Sequence, residues 1–352
     1  WGTNKIIIDS NGLNYQGNDD TYTVEYTTDG QSLNIVYSDA TKGWLPLEDD
    51  VAAFDHGAPP TQKAVIYAGK AGSTFSNITN LVNSSGVVGS DVTGVGTGRT
   101  NLGGASYGGD KGVFAYGQVP GGAGDYSSVK NLVNNVGVIA ADVSGVGSAR
   151  LGTTACAYGT DKAIFGFGNN ASGNLSLTNL CSNSGVISAD VTGVGTARLY
   201  ISAVGYGGDK GMFAYGNTGS VSSLKNLVSN IGVVASNTAG VGTARDGVGA
   251  AKYGGDKAIF AYGSTGSAVS MSNLVNSSGV IASDVTGVGT ARYQLAGVNY
   301  GNDKAIFAFG NTGAGEPNTR NLVSNVGVVA ADASGAGTGR GGSAAAGYST
   351  SA

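Results

Sequence analysis

The sequence predicts an all-β protein, and three observations carry that prediction. Segments of about 48 residues repeat six times from Gln62 to the C-terminus, a period that marks one supersecondary unit stacked on copies of itself. Lys63, Lys111, Lys162, Lys210, Lys257 and Lys304 fix one point of the register; Arg99, Arg150, Arg198, Arg245, Arg292 and Arg340 fix another. Each copy holds four short β-type runs between turn residues, and no stretch of ten or more positions shows apolar residues at helical spacing. The chain also carries 63 glycines, which oppose long helices. Four strands per repeat at this period is the pattern of a β-propeller blade, so six repeats predict six blades.

Residues 1–48 stand apart and read as a small N-terminal β domain. Its runs are NKIIIDS, TYTVEYT, SLNIVYS and GWLPLEDD, separated by the turn segments NDD, TDGQ and SDATKG. Residues 49–61, ending in Pro59–Pro60, read as a linker. Residues 62–352 hold the repeats. In one copy the runs are GAAKYG (Gly249–Gly254), KAIFAYG (Lys257–Gly263), SNLV (Ser272–Val275) and GVIASDV (Gly279–Val285). The second is apolar almost throughout, as in a strand covered on both faces. The first is rich in Ala and Gly, which suits a crowded axis. The first copy starts at its second run, and an orphan first run, Gly341–Ser349, ends the last copy. The C-terminal run is therefore expected to pair with Lys63–Gly69 and remove the open edges.

Composition narrows the function. Only 12% of residues are charged and the net charge is −4, which suits an extracellular or virion scaffold and leaves no basic stripe for nucleic acid. No apolar run reaches membrane-spanning length, so no membrane insertion is expected. The chain starts at Trp1 without a leader pattern, as expected of a processed product or a partial sequence. Cys156 and Cys181 fall in one repeat at positions held elsewhere by Ala and Val; they read as buried small apolar residues, with a disulfide possible but not required.

Chemistry is sparse. A single histidine, His56, lies in the linker and reads as exposed; this opposes histidine metal clusters and a Ser-His-Asp triad. No catalytic residue, metal ligand or cofactor is expected. Asp110, Asp161, Asp209, Asp256 and Asp303 occupy the turn between the first and second runs, where turn chemistry explains them. Asp91, Asp142, Asp190, Asp284 and Asp332 follow the fourth run and read as caps for loop amides or as partners of an arginine. The six arginines read as ties between neighbouring blades rather than as an anion-binding ring. The non-repeated acids Asp125, Asp246 and Glu316 lie in separate repeats, which opposes a glycan-cleaving carboxylate pair.

The copies differ on one face. In an alternating meander, the loops from second to third run and the residues after each arginine emerge together. These vary, whereas the turns at the other end are nearly uniform. Asn101, Tyr126, Leu199, Tyr200, Asp246, Tyr293 and Gln294 are therefore the candidate ligand-binding face. Drift of exposed loops explains such variation too, but aromatic rings stack on sugars and amides bind hydroxyls.

The repeat resembles the kelch repeat. An Arg precedes an Ala-rich strand, a second strand ends in an aromatic and a glycine (Tyr116–Gly117, Phe167–Gly168, Tyr262–Gly263), and two outer runs follow. A single glycine stands where kelch has a pair, and the outer-strand tryptophan of kelch is absent. The resemblance implies the propeller fold, not an activity. The segment Tyr37–Asp50 resembles a short β module that precedes variable C-terminal domains in tail-fibre and other virion proteins of marine bacteriophages. DKAIFGFG (Asp161–Gly168) resembles segments of structural proteins from such phages. These likenesses imply a non-enzymatic virion or appendage protein, such as a phage tail fibre. Residues 1–61 would bind other virion proteins or further copies of the chain. The variable face would serve host attachment through carbohydrate binding at a host-surface glycan, or would hold a neighbouring virion protein. A purely architectural spacer is the alternative.

Overall fold

The structure, a computed structural model, describes residues 5–26, 33–47, 53–55, 62–121 and 124–350. It is all-β, built from eight small antiparallel sheets, and the described residues contain no helix. No helix is therefore long and apolar enough to cross a membrane among the described residues. The chain divides into two compact units, residues 1–60 and 61–352.

In the first unit, β1 (Ile6–Ile8) pairs with β2 (Thr23–Tyr26), while β3 (Ile35–Asp39) and β4 (Gly43–Pro46) form a hairpin. Tyr15, Val24 and Tyr26 are buried, with Ile6, Ile8, Leu33 and Trp44 packed around them. The two tyrosine hydroxyls share a hydrogen bond of 2.7 Å, which satisfies both polar tips inside an apolar cluster. The segment expected as a linker, 49–61, departs from that reading. Its β5 (Ala53–Asp55) pairs with β2, Val24 opposite Phe54, because a short apolar run supplies a third strand where two alone are marginal. His56 lies outside the described residues.

The second unit holds six sheets of one plan. They comprise β6 (Gln62–Ala71) and β7 (Thr74–Val82); β8 (Gly103–Tyr107), β9 (Lys111–Ala115) and β10 (Lys130–Val133); β11 (Thr154–Tyr158), β12 (Lys162–Asn170) and β13 (Gly173–Cys181); β14 (Ser202–Tyr206), β15 (Lys210–Ala214) and β16 (Lys225–Val228); β17 (Gly249–Tyr253), β18 (Lys257–Ala261) and β19 (Ser272–Val275); and β20 (Ala296–Tyr300), β21 (Lys304–Ala308), β22 (Thr319–Val323) and β23 (Ala333–Ser334). The C-terminal β24 (Ala344–Ser349) completes the first sheet, running antiparallel to β6 from Ala344 opposite Tyr67 to Ser349 opposite Gln62. The apolar second strands lie at the centre of their sheets, and Val65, Phe114, Phe165, Phe213, Phe260 and Phe307 are wholly buried. Aromatic rings join successive sheets: Tyr67 meets Phe114 at 5.1 Å between centroids, and Tyr262 meets Phe307 at 5.7 Å.

The fourth run is where the structure departs from a four-stranded repeat. Only the last sheet has a fourth strand, β23; elsewhere the outer segment touches the third strand at isolated bridges, such as Ser272 with Val285 and Val275 with Ile281. An asparagine in the third strand bridges to the outer segment in every one of these sheets, the four-stranded one included. Asn273 Nδ2 donates to Ala282 O (3.0 Å) and to Asp284 Oδ1 (2.8 Å), beside backbone bonds from Ala282 N to Leu274 O and from Val285 N to Ser272 O (both 2.8 Å). Asn80, Asn131, Asn179, Asn226 and Asn321 repeat the device.

The first strands lie side by side in the order β8, β11, β14, β17, β20, β24, and β24 returns to β8. Two cycles of backbone hydrogen bonds lace their ends. At one end Gly108 N donates to Asp161 O, Gly159 to Asp209, Gly207 to Asp256, Gly254 to Asp303, Gly301 to Gln62, and Ser349 to Asp110. The turn aspartates thus serve the fold through their carbonyls, while the carboxylates of Asp110, Asp161, Asp209 and Asp303 pair with the next lysine. The second cycle lies at the other end.

Candidate binding face and inner cavities

Each repeat arginine is wholly buried and lies between consecutive sheets. Arg245 is representative. Its guanidinium stands over the Tyr215 ring at 4.5 Å, Nε donates to Tyr262 O (2.8 Å), Nη2 to Asn273 Oδ1 (2.6 Å) and Nη1 to Thr243 O (3.1 Å). Asp284 lies 3.7 Å away. One sheet supplies the ring and the next supplies the acceptors, so the charge is satisfied only when both are in place. Arg150, Arg198 and Arg292 repeat the arrangement over Tyr116, Phe167 and Tyr262, while Arg99 over Tyr67 and Arg340 over Phe309 keep part of it, with Arg99 Nε and Arg340 Nη2 unpartnered. Beside Arg198 the aspartate is replaced by Asn237, and burial pulls that guanidinium down to about 10.

The aspartates after the fourth run are consumed as well. Asp284 Oδ2 accepts from Thr243 N (3.0 Å) and Thr243 Oγ1 (2.7 Å) of the preceding repeat. Burial raises its carboxyl, but hydrogen bonds from Thr243 and Asn273 and the charge of Arg245 outweigh that and hold it below the ordinary range. Asp91, Asp142, Asp190 and Asp332 do the same for Thr338, Thr97, Ser148 and Thr290.

Two residues beyond each arginine the chain turns into the left-handed region, and these positions form the second cycle. Asn101, Gly152, Tyr200, Gly247, Gln294 and Gly342 have φ of 55°, 61°, 49°, 57°, 53° and 67°. Gly152 N donates to Asn101 O, Tyr200 N to Gly152 O, Gly247 N to Tyr200 O, Gln294 N to Gly247 O, Gly342 N to Gln294 O, and Asn101 N to Gly342 O, at 2.7–3.1 Å. The ring alternates a side chain with glycine. It rims a cavity of about 130 Å³ between the first strands. The Tyr200 phenol is raised by burial and by the charges of Asp246 and Tyr293, against a hydrogen bond from Gln294. Asp246 is raised by burial, against a hydrogen bond from Asn217 Nδ2 at 2.8 Å.

The sequence-predicted face divides here. Asn101, Tyr200 and Gln294 meet at the rim of one cavity, with Asp246 and Tyr293 beside Tyr200. Leu199, Asp246 and Tyr293 are one position earlier and bridge to Asn217, Ser264 and Asn311 through the backbone. Tyr126 bridges to Gln118, and neither it nor Leu199 lines the cavity. Sequence reasoning missed the three glycines of the ring; their constant offset from the repeat arginine was the available signal. It also missed a second cavity of about 220 Å³ at the other end of the first strands, lined by Gln62, Ser106, Thr160, Lys252 and Asn299 among others. The signal there was Lys252, standing where other first strands carry Ser106, Ala157, Gly205, Asn299 and Gly347.

The acids unique to one repeat do not gather. Asp246 bonds Asn217, Glu316 bonds Asn311 (2.8 Å), and Asp125 closes its own loop, its carbonyl accepting from Val119 N (2.9 Å). Among the described residues no cluster of three or more His, Cys, Asp or Glu side chains could hold a metal ion. Cys156 and Cys181 are both free and buried in separate apolar clusters. No family model matches this chain, and no curated protein matches it in sequence.

Proposed function

We propose that residues 62–352 form a six-bladed β-propeller and act as a non-enzymatic recognition scaffold. Two closed hydrogen-bond cycles and the return of β24 to β8 support the six-fold arrangement. One observation carries the functional reading. The repeated acids and arginines are used up in joining sheets, whereas Asn101, Tyr200 and Gln294, which differ between repeats, converge on one cavity rim. A tyrosine face with flanking amides suits stacking on and hydrogen bonding to a sugar, so the ligand class is a surface glycan. The setting we propose is a phage appendage such as a tail fibre, with residues 1–61 docking to virion proteins or to further copies of the chain. Many copies would raise a weak single-site affinity through avidity.

The test is adsorption of the labelled full chain to a panel of bacterial cells and to a glycan array. Tyr200→Ala combined with Tyr293→Ala should weaken saturable binding about tenfold or more, the loss of one good stacking contact. Unchanged binding by the folded double variant overturns the proposed face. A purely architectural role has its own support in the exposed Val136, Ile231 and Val326, which are 54%, 73% and 69% accessible at the uniform turns. Absence of adsorption to every cell and glycan would favour it.

A further inference from the structure

The second cavity is unlike the rest of the space between the first strands. Where it meets the rim cavity, the shared wall is Gly104, Ala155, Ala203, Ala250, Gly297 and Ala345, which offer no side-chain polar group. Toward the end near the aspartate turns the wall turns polar, and it holds Lys252, the one charged side chain lining either cavity. The lysine stem lies against Gly205, where an added Cβ would stand 3.3 Å from Lys252 Cδ; a larger residue there would push the stem away. Its ammonium makes no hydrogen bond or ion pair with any described residue. Burial lowers its basicity, and this outweighs the charge of Asp256, which acts the other way.

Two amides share the cavity. Asn299 occupies the same strand position on β20 that Lys252 occupies on β17, opposite Ala305 and Ala258 respectively. Gln62 begins β6, two strands further round, and its Nε2 lies 3.0 Å from where a Cβ on Gly347 would stand. Neither side chain bonds a described protein group. Ser106, by contrast, is satisfied by Gly347, donating to its carbonyl and accepting from its N–H at 3.0 and 3.1 Å. A desolvated cation without a counter-charge, flanked by idle amide donors in a cavity of this size, is an incomplete site.

We propose that this cavity binds a small oxyanion, with Lys252 as counter-charge and Asn299 and Gln62 as hydrogen-bond donors. A phosphate or the carboxylate of an acidic monosaccharide has the right charge and fits the volume. The site is separate from the rim of Asn101, Tyr200 and Gln294 and does not depend on the glycan reading.

Isothermal titration of the full chain with inorganic phosphate, glucuronate and neutral glucose, at fixed ionic strength, tests the proposal. Saturable binding of phosphate or glucuronate that depends on Lys252 is expected, any binding of glucose should not depend on Lys252, and the arms separate a free inorganic ion from an acidic sugar. Lys252→Gln should weaken the anion at least tenfold and Asn299→Ala less. Thermal melts of the wild-type chain with and without the anion give a reading independent of any variant, and a rise in Tm is expected. Absence of saturable binding of phosphate and glucuronate, or wild-type affinity in folded Lys252→Gln, overturns it.

Discussion

Replacing Arg245 by methionine strips the seam between the β14–β16 and β17–β19 sheets of its central cation. The loss is worked from four contacts. Tyr262 O and Asn273 Oδ1 lose donors at 2.8 and 2.6 Å, Thr243 O loses one at 3.1 Å, and the Tyr215 face loses the charge above it. Each buried acceptor left without a partner costs about 1–3 kcal/mol, and a desolvated cation–π contact is worth about 2. Methionine restores part of the apolar packing, so a net loss of about 3–5 kcal/mol is expected, the range for breaking one side of a buried charged pair. At about 2 °C per kcal/mol for a unit of this size, Tm should fall by about 6–10 °C. Urea unfolding and thermal melts of the full chain measure it. Asp284→Asn supplies the control, because Asn237 already stands at the corresponding place beside Arg198, donating to Thr196 Oγ1 at 2.7 Å. That control should cost less than about 1 kcal/mol, because an amide at this place still bridges to the hydroxyl of the preceding repeat. An Arg245→Met variant within about 1 kcal/mol of wild type would refute the view that the guanidinium joins the sheets.

Acid should loosen the same seams. Asp91, Asp142, Asp190, Asp284 and Asp332 all titrate below the ordinary 3.8 in the folded chain. A lowered carboxyl contributes stability that is fully present above its unfolded value and is lost as pH falls through its folded value. Tm should therefore hold between pH 7 and 5, values well above that 3.8, and drop below about pH 4; a flat profile down to pH 2.5 would sink this account. The two thiols should be inert in the native state, since burial pushes Cys156 up to about 12 and Cys181 up to about 11. Reaction with a thiol reagent at pH 8 should follow unfolding, and labelling at the rate of a free thiol would contradict the buried placement.

The second and third runs were legible because period and apolar content act locally, and the strands fall where KAIFAYG and SNLV stand. The fourth run misled. GVIASDV has strand composition, yet it meets the third strand only at isolated bridges, with Asn273 bonding Ala282 O between them, and such side-chain contacts leave no mark on periodicity. The linker misled for a related reason: its prolines follow the strand Ala53–Asp55 rather than bounding a structureless segment. Of the expected face, Asn101, Tyr200 and Gln294 line one cavity, whereas Tyr126, Leu199, Asp246 and Tyr293 do not. Side-chain direction depends on the left-handed turn, which the sequence signals only where glycine appears. Lys252 escaped notice because one departure in a small-residue strand carries no period.

The alternation in the ring limits what the rim can display. A Cβ on Gly152 would stand 3.0 Å from Tyr200 N and 3.4 Å from the Tyr200 ring, and one on Gly247 would stand 3.1 Å from Gln294 N. On Gly342 it would stand 2.1 Å from Thr100 Oγ1 and 2.7 Å from Asn101 Oδ1. A side chain at one position therefore occupies space above its neighbour, and with all six residues in the left-handed region the neighbour is most cheaply glycine. Asparagine, tyrosine and glutamine hold three of the six places, and glycine holds the other three. The side chains at the rim stand at these three alternating positions, each two residues beyond a repeat arginine. The hydrogen-bond cycle at the opposite end runs through main-chain groups alone, so Lys252 can change there without disturbing the rim. Each mouth of the space between the first strands is thus free to acquire its own chemistry on one unchanged frame.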